Sequence, residues 1–550
     1  MSESAAADHA AVARLGRGSL VGRLFGRGKS PLKISAVPRD HVQGDRGRGD
    51  QLLSGRFVKG GEMIGLAELN WVELGVTGPL AEELHGFSWL RDLAAAASRD
   101  KGSPVAENLA ARWLLAHGGK VDPAWAPALW GERLLFWISY APYLLSSRDP
   151  AYRSALLNTM ARGGRHLLAN AEGAEPGLPR ITAWTGLTAS ALLLAGSDQR
   201  IARAEAGLAR ALATGQSEDG GLLSRSPAEQ AQLVDRLGLL RAAYGAAKQA
   251  MPEALDNAAT AALAALHGVT MGDGALGSWQ GGNPGEAARI AALVEGCGLR
   301  ARPLRQARNW GYHRLGALGT ILVIDAAAPP PARMARSGSA STLALELSDG
   351  GQRLVVNCGG PGAVRGTIPE ELAKALRTTA AHSTMTLGDS NSTAILPGGS
   401  LGKGVGEVVV TRIEDDEFSR IEAAHDGYHK GFGLIHHRHI ALANDGKELR
   451  GLDRLEPRGR KRIREAAGYA VRFHLAPGVE AVRTADAMGA ILRSPGAPPW
   501  NFRCRGAQLE VEESVWVDGR GALQSTMQLA IVGEISALGG EVGWHFRRSS

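Results

Sequence analysis

The feature that most restricts this fold is a change of hydrophobic period near residue 305. Upstream, from about 62 to 270, apolar side chains recur near i, i+3, i+4 and i+7, the spacing of amphipathic helices. WLRDLAAAASRD (89–100), VAENLAARWLLAHG (105–118), ERLLFWISYAPYLL (132–145), AYRSALLNTMARGGRHLLANA (151–171) and AEQAQLVDRLGLLRAAYGAAKQA (228–250) are also rich in strong helix formers. Asp149-Pro150, Gly177-Leu178-Pro179 and Asp219-Gly220-Gly221 interrupt them, and Asp149 predicts an N-cap with proline at the first helical position. Downstream, short alternating runs take over, among them GTILVID (319–325), STLALELSD (341–349), QRLVVNCG (352–359), GEVVVTRIE (406–414) and LQSTMQLAIVG (523–533). Asn444-Asp445-Gly446 and Asp518-Gly519 between them have hairpin-turn chemistry. Many consecutive strands without intervening helices imply an antiparallel sandwich.

At 550 residues the chain exceeds one ordinary core. The predicted layout is a basic, flexible leader over 1–60, a helical domain over 61–305 and a β-sandwich over 306–550. The helical part fits a bundle, a solenoid or an α/α toroid, and the lack of a fixed repeat disfavours the regular solenoid. Seven tryptophans, Trp71, Trp89, Trp113, Trp125, Trp130, Trp137 and Trp184, fall in the helical part, where core packing is expected, with one or two available to floor a sugar groove. The three cysteines are widely spaced and read as buried free thiols.

Charge excludes one function class. The net charge is +7, but residues 1–60 hold eleven Lys/Arg against five Asp/Glu. The body is near neutral, which argues against a nucleic-acid binder. Gly359-Gly360-Pro361-Gly362 follows a strand in an all-β region and reads as a turn rather than a phosphate loop. No apolar run is long enough for a transmembrane helix. The leader has no legible export signal, although Leu20, Val21, Leu24 and Phe25 form a weakly amphipathic group.

Collinear strings carry a resemblance: GLPRITAWTGL (177–187), DGGLLSRSP (219–227), GYHRLGALGTILVIDAAAPPP (311–331), LALELSDGGQRLVVNCG (343–359), TTAAHSTMTLGDSNST (378–393) and YAVRFHLAPGVEA (469–481). From roughly residue 60 to 546 the chain resembles the heparinase II/III family of polysaccharide lyases. The resemblance implies an incomplete α/α toroid followed by a layered antiparallel β-sandwich. It implies an acidic, uronate-containing polysaccharide as partner, cleaved by β-elimination, and a periplasmic or envelope location, with the cytoplasm left open by the leader. Elimination needs a neutraliser for the uronate carboxylate, a base for the C5 proton and an acid for the departing oxygen.

By that resemblance His382 is the leading catalytic candidate, with Tyr312, His474 and Arg180 beside it. Arg377, Asn357 and His313 are candidates for holding substrate. The family's metal ligands are replaced: Ser337, Ser339 and Ser341 stand where a His-x-His-x-Asp run is expected, and Asn357 where an aspartate is. Hydroxyls and an amide bind zinc poorly, so no metal cofactor is expected. His437 and His439, on one face of a strand, are a weak alternative metal pair. Glu229 and Gln230 occupy the place of the family's Tyr-His pair. The second reading is therefore a catalytically degenerate carbohydrate-binding or envelope-polysaccharide accessory protein of the same fold.

Overall fold

The computed structural model describes residues 32–549 except 335–336, 365, 367, 398 and 460–465. The group around Leu20 to Phe25 lies outside the described residues. The chain divides into two compact units, one of residues 1–215, 232–260 and 292–299, the other of 216–231, 261–291 and 300–550. This redraws the expected border at 305. Segments around Asp219, Arg225 and Gln280 sit with the β-rich part because they bond its strands and loops: Asp219 accepts from the Trp310 amide and Gln280 donates to Ser341.

The first unit is built of helices, including Leu90–Ala96, Arg99–His117, Pro127–Ser139, Pro150–Asn170, Leu178–Leu193 and Ile201–Gly215. Asp149 caps its helix as the sequence predicts, accepting from the Ala151 amide at 2.8 Å. Two of these helices touch through glycines. Gly131 lies against the Thr182 carbonyl and Gly186 against Gly131, so neither position has room for a Cβ. All seven tryptophans of this region are buried, which leaves none as an exposed groove floor. Trp113 meets Trp130 and Trp137 edge-on with centroids 5.7 and 5.6 Å away, and the buried Arg133 guanidinium stacks 4.0 Å from Trp113.

The expected flexible leader over 1–60 does not hold for residues 40–57. Arg46–Leu53 is a helix capped by Asp45, and β1 (Arg56–Lys59) pairs with β2 (Glu62–Gly65). Asp40 forms an ion pair with Arg91 at 2.7 Å and accepts from the Tyr140 hydroxyl at 2.8 Å. These bonds, with burial of Val42, Leu52 and Phe57, make residues 40–57 part of the helical unit.

The second unit is an antiparallel β-sandwich. Its strands are β3 (Tyr312–Ala317), β4 (Thr320–Asp325), β5 (Leu345–Asp349), β6 (Gln352–Val356), β7 (Met385–Leu387), β8 (Val408–Glu414), β9 (Phe418–His425), β10 (Leu434–Ala443), β11 (Glu448–Pro457), β12 (Ala467–Leu475), β13 (Glu480–Arg483), β14 (Gly489–Arg493), β15 (Trp500–Arg505), β16 (Gln508–Val517), β17 (Leu523–Ile535) and β18 (Gly540–Arg548). One sheet has the order β13-β14-β15-β18-β11-β10-β9-β8; the other runs β16-β17-β12-β6-β5-β4-β3, with β7 paired to β12. The core draws Leu322, Leu345, Val355 and Phe473 from one sheet and Ile421, Ile440, Trp544 and Phe546 from the other.

Candidate functional site

β5 begins where β6 ends, His474 near the end of β12 pairs with Val356 at that point, and Ser383 of the neighbouring 377–384 segment donates to the Val356 carbonyl at 2.7 Å. This brings His382, His474, Asn357 and Arg377 into one neighbourhood, tied by shared bonds. His382 follows the single 3-10 turn Thr379–Ala381, and the residue is 2% exposed. Nδ1 lies 2.7 Å from the Thr378 carbonyl, so Nδ1 carries the proton and Nε2 the lone pair. Burial drives this histidine down to about 4, opposed only in part by that hydrogen bond. A base this weak is poorly matched to taking a sugar C–H proton near neutral pH.

Its neighbours are equally committed. His474 Nε2 donates to the Ala380 carbonyl at 2.9 Å and Nδ1 accepts from the Ser514 hydroxyl at 2.7 Å. Burial takes that ring down to about 3. Its edge lines a recess of about 360 Å³ with Cys358, Thr378 and Ser514. Asn357 donates to Glu346 at 3.1 Å and accepts from the Ser383 amide at 2.9 Å, while Glu346 pairs with Arg353 at 3.0 Å. Arg377 spends Nε and Nη2 on the Gly338 carbonyl, at 2.8 and 2.5 Å. Two of the three side chains expected to hold substrate, Asn357 and Arg377, are thus bonded within the protein.

Ser341 donates to Asp325 at 2.7 Å and accepts from Gln280 at 2.9 Å; Gln280 in turn accepts from the Ser339 amide at 3.0 Å. Arg225 closes the network through an ion pair with Asp325. Hydroxyl and amide groups that satisfy one another in this way do not fit zinc, which favours imidazole, thiolate and carboxylate. Among the described residues no group of three or more His, Cys, Asp and Glu side chains is arranged to hold a metal ion.

The remaining candidates lie apart. Tyr312 is buried on β3, donates to the Arg225 carbonyl at 2.7 Å and packs against Trp310 and Trp279. Burial raises its phenol well above the ordinary range, so the group is a structural donor in this arrangement. His313, next along β3, is 2% exposed, has no partner for Nδ1, and is lowered by burial to about 4. Arg180 belongs to the helical unit, in the first turn of its helix, where it donates to the Ala174 carbonyl at 2.9 Å and faces Glu172 at 3.3 Å. His437 and His439 share the outer face of β10, but each faces a carboxylate on a neighbouring strand, Glu456 at 3.3 Å and Glu422 at 3.8 Å.

Sequence reasoning missed a second buried cluster. Arg438 forks onto Asp453 at 2.7 and 3.0 Å and donates to the Leu343 and Ser383 carbonyls, both at 2.8 Å. His436 joins Asp453 at 2.7 Å and His425 at 3.1 Å, and Trp544 donates to Asp453 at 2.7 Å. The signal was present in IHHRHI, where His436 and Arg438 share the inward face. Their partner Asp453, on the next strand, could not be read from that string.

Residues 299–545 match the Heparinase II/III-like, C-terminal family. The β-rich part of the chain is thus similar to the C-terminal domain of heparinase II/III-like proteins. The whole fold of the chain is that of heparinase III, whose crystal structure superposes with a TM-score of 0.71 at 12% identity, over 98% of this chain and 89% of that one. A heparan sulfate lyase mutant from Pedobacter heparinus gives 0.64 at 15% identity, over 100% and 89% of the two chains. At these identities the likeness speaks of fold alone: a helical toroid and a β-sandwich. The chain is also 28% identical, over 96% of its length and 93% of the other's, to the FtsZ-localized protein C of Caulobacter vibrioides.

Proposed function

We propose that this chain is a non-catalytic heparinase-fold protein acting as an accessory factor for envelope polysaccharide at the place where FtsZ assembles. One observation carries the first half of the reading. Five of the six side chains singled out for elimination chemistry in the sandwich, His382, His474, Asn357, Arg377 and Tyr312, are buried and bonded within the protein, from His382 on Thr378 to Asn357 on Glu346. A neutraliser and a base must instead present free polar atoms to the sugar. The second half rests on near full-length similarity to the FtsZ-localized protein of Caulobacter. The lyase reading rests on the fold, and a fold hosts many functions.

The purified protein is incubated with heparan sulfate, heparin and alginate, and absorbance near 232 nm is followed for the unsaturated product. No growth of signal is expected for wild type. Growth in wild type that disappears in His382→Ala would establish a lyase and end this reading. In cells of the producing organism, a fluorescent fusion is expected to gather with FtsZ; a uniform distribution would remove the division assignment.

A further inference from the structure

Along the free side of β8 runs a recess of about 1050 Å³, contained within the sandwich unit and lined by Arg305, Arg308, His313, Val410, Arg412 and Glu414. We propose that this recess docks an extended acidic peptide segment of a partner protein, added as a strand to the edge of β8. The inference stands apart from the FtsZ assignment and from the glycan reading.

Three observations support it. β8 ends its sheet, with β9 on one side and no strand on the other among the described residues. A terminal strand presents unpaired N–H and C=O groups, and proteins usually blunt such edges with lysine, proline or a bulge. VVVTRIE has no lysine or proline, pairs with β9 without a shift of register, and leaves Val409 57% and Ile413 42% exposed. β3, the edge strand of the other sheet, is by contrast partly capped: Gln306 bridges His313, and the Arg314 amide donates to Arg305 at 2.9 Å. The recess therefore offers one open edge, seven residues long.

Its charge selects the partner. Three arginines line it against the single carboxylate of Glu414, which Arg305 and Arg412 share at 2.9 and 2.6 Å. Arg412 is locked further, donating to the Arg305 and Arg314 carbonyls at 2.7 and 3.0 Å, so its position is fixed before anything binds. Arg308 is exposed and has no ion-pair partner among the described residues. Glu407, just before β8, already faces Arg458 at 3.5 Å. The buried His313 ring on the wall leaves Nδ1 without a partner, a polar atom awaiting one. Val408 and Val410 pack partly against the sandwich core and give alternate apolar side chains a floor. Strand addition supplies main-chain hydrogen bonds, alternate side chains supply selectivity, and arginine favours carboxylates.

The probe is a fluorescein-labelled octapeptide alternating Glu and Val, titrated with the full-length protein at low salt and read by fluorescence anisotropy. Saturable binding is expected, weakened at least tenfold in Arg305→Glu/Arg308→Glu, whose exposed sites leave the circular dichroism unchanged. Methylating alternate backbone nitrogens of the peptide is expected to weaken binding as much, and a Lys-Val octapeptide is expected not to bind. Hydrogen exchange should slow at the outward amides of β8. The proposal is overturned by no saturation with wild type, by variant or methylated-peptide affinities within twofold of the parent, or by displacement of the peptide by an equal concentration of a hexameric oligouronate. None of these outcomes bears on the 232 nm or localisation results.

Discussion

Asp453 holds three neighbours at once, Arg438, His436 and Trp544, through four hydrogen bonds in a fully buried position. Burial alone would raise its carboxyl, yet Arg438 and His436 outweigh that and hold it below the ordinary carboxylate range. Removing one member of such a set leaves the other charge buried and uncompensated, which costs about 3–5 kcal/mol. Asp453→Ala is therefore expected to lower stability by about that much in urea unfolding. Replacing Arg438 and Asp453 together with Met and Leu is expected to cost less than the Asp453→Ala single change. A double change as harmful as the sum of the singles would show that the two residues act independently.

At the scale of elements, the pairing of the helices Pro127–Ser139 and Leu178–Leu193 depends on absent side chains. Alanine is the better helix former by about 0.8–1 kcal/mol, so helix propensity alone would predict that Gly186→Ala stabilises the protein. The added Cβ would fall inside contact distance of the Gly131 carbonyl oxygen, a backbone atom that cannot rotate away. Overpacking of that kind costs about 1–3 kcal/mol. A lower Tm for Gly186→Ala, and likewise for Gly131→Ala against Thr182, is the expected result; a rise in Tm would show that the helices can separate freely. In the strands, side-chain alternation made the face assignments readable. His437 and His439 do share the outer face of β10 while His436 points inward, because strand side chains alternate whatever the partner.

For the molecule as a whole, buried neutral histidines set the response to acid. His313 and His382 are lowered to about 4, and His474 and His85 to about 3, by burial in each case. Unfolded, these rings titrate near 6.5, so between that value and 4 the unfolded chain binds more protons than the folded one. Stability is then fully present above about 6.5 and falls as pH drops toward 4. A shift from 6.5 to 4 at one fully buried ring corresponds to about 3 kcal/mol. Differential scanning calorimetry is expected to show Tm declining from pH 7 to pH 4.5, with a smaller decline in His382→Gln; a flat profile would mean these rings are charged when folded.

The sequence by itself determined the order of secondary structure, the inward and outward faces of its strands, the Asp149 cap and the toroid-then-sandwich architecture. Each follows from local periodicity, turn chemistry or collinear resemblance. Tertiary structure decided which polar groups meet. Ser341 is 16 residues from Asp325 and 61 from Gln280, and His474 meets the carbonyl of Ala380, two residues before His382, across 94 positions of sequence. A local pattern states that a side chain points inward, but whether it finds water, a sugar or another side chain depends on chain segments far away in sequence. That is why the histidine at 382 could be singled out from its string, while its burial, its bond to Thr378 and its weak basicity could not.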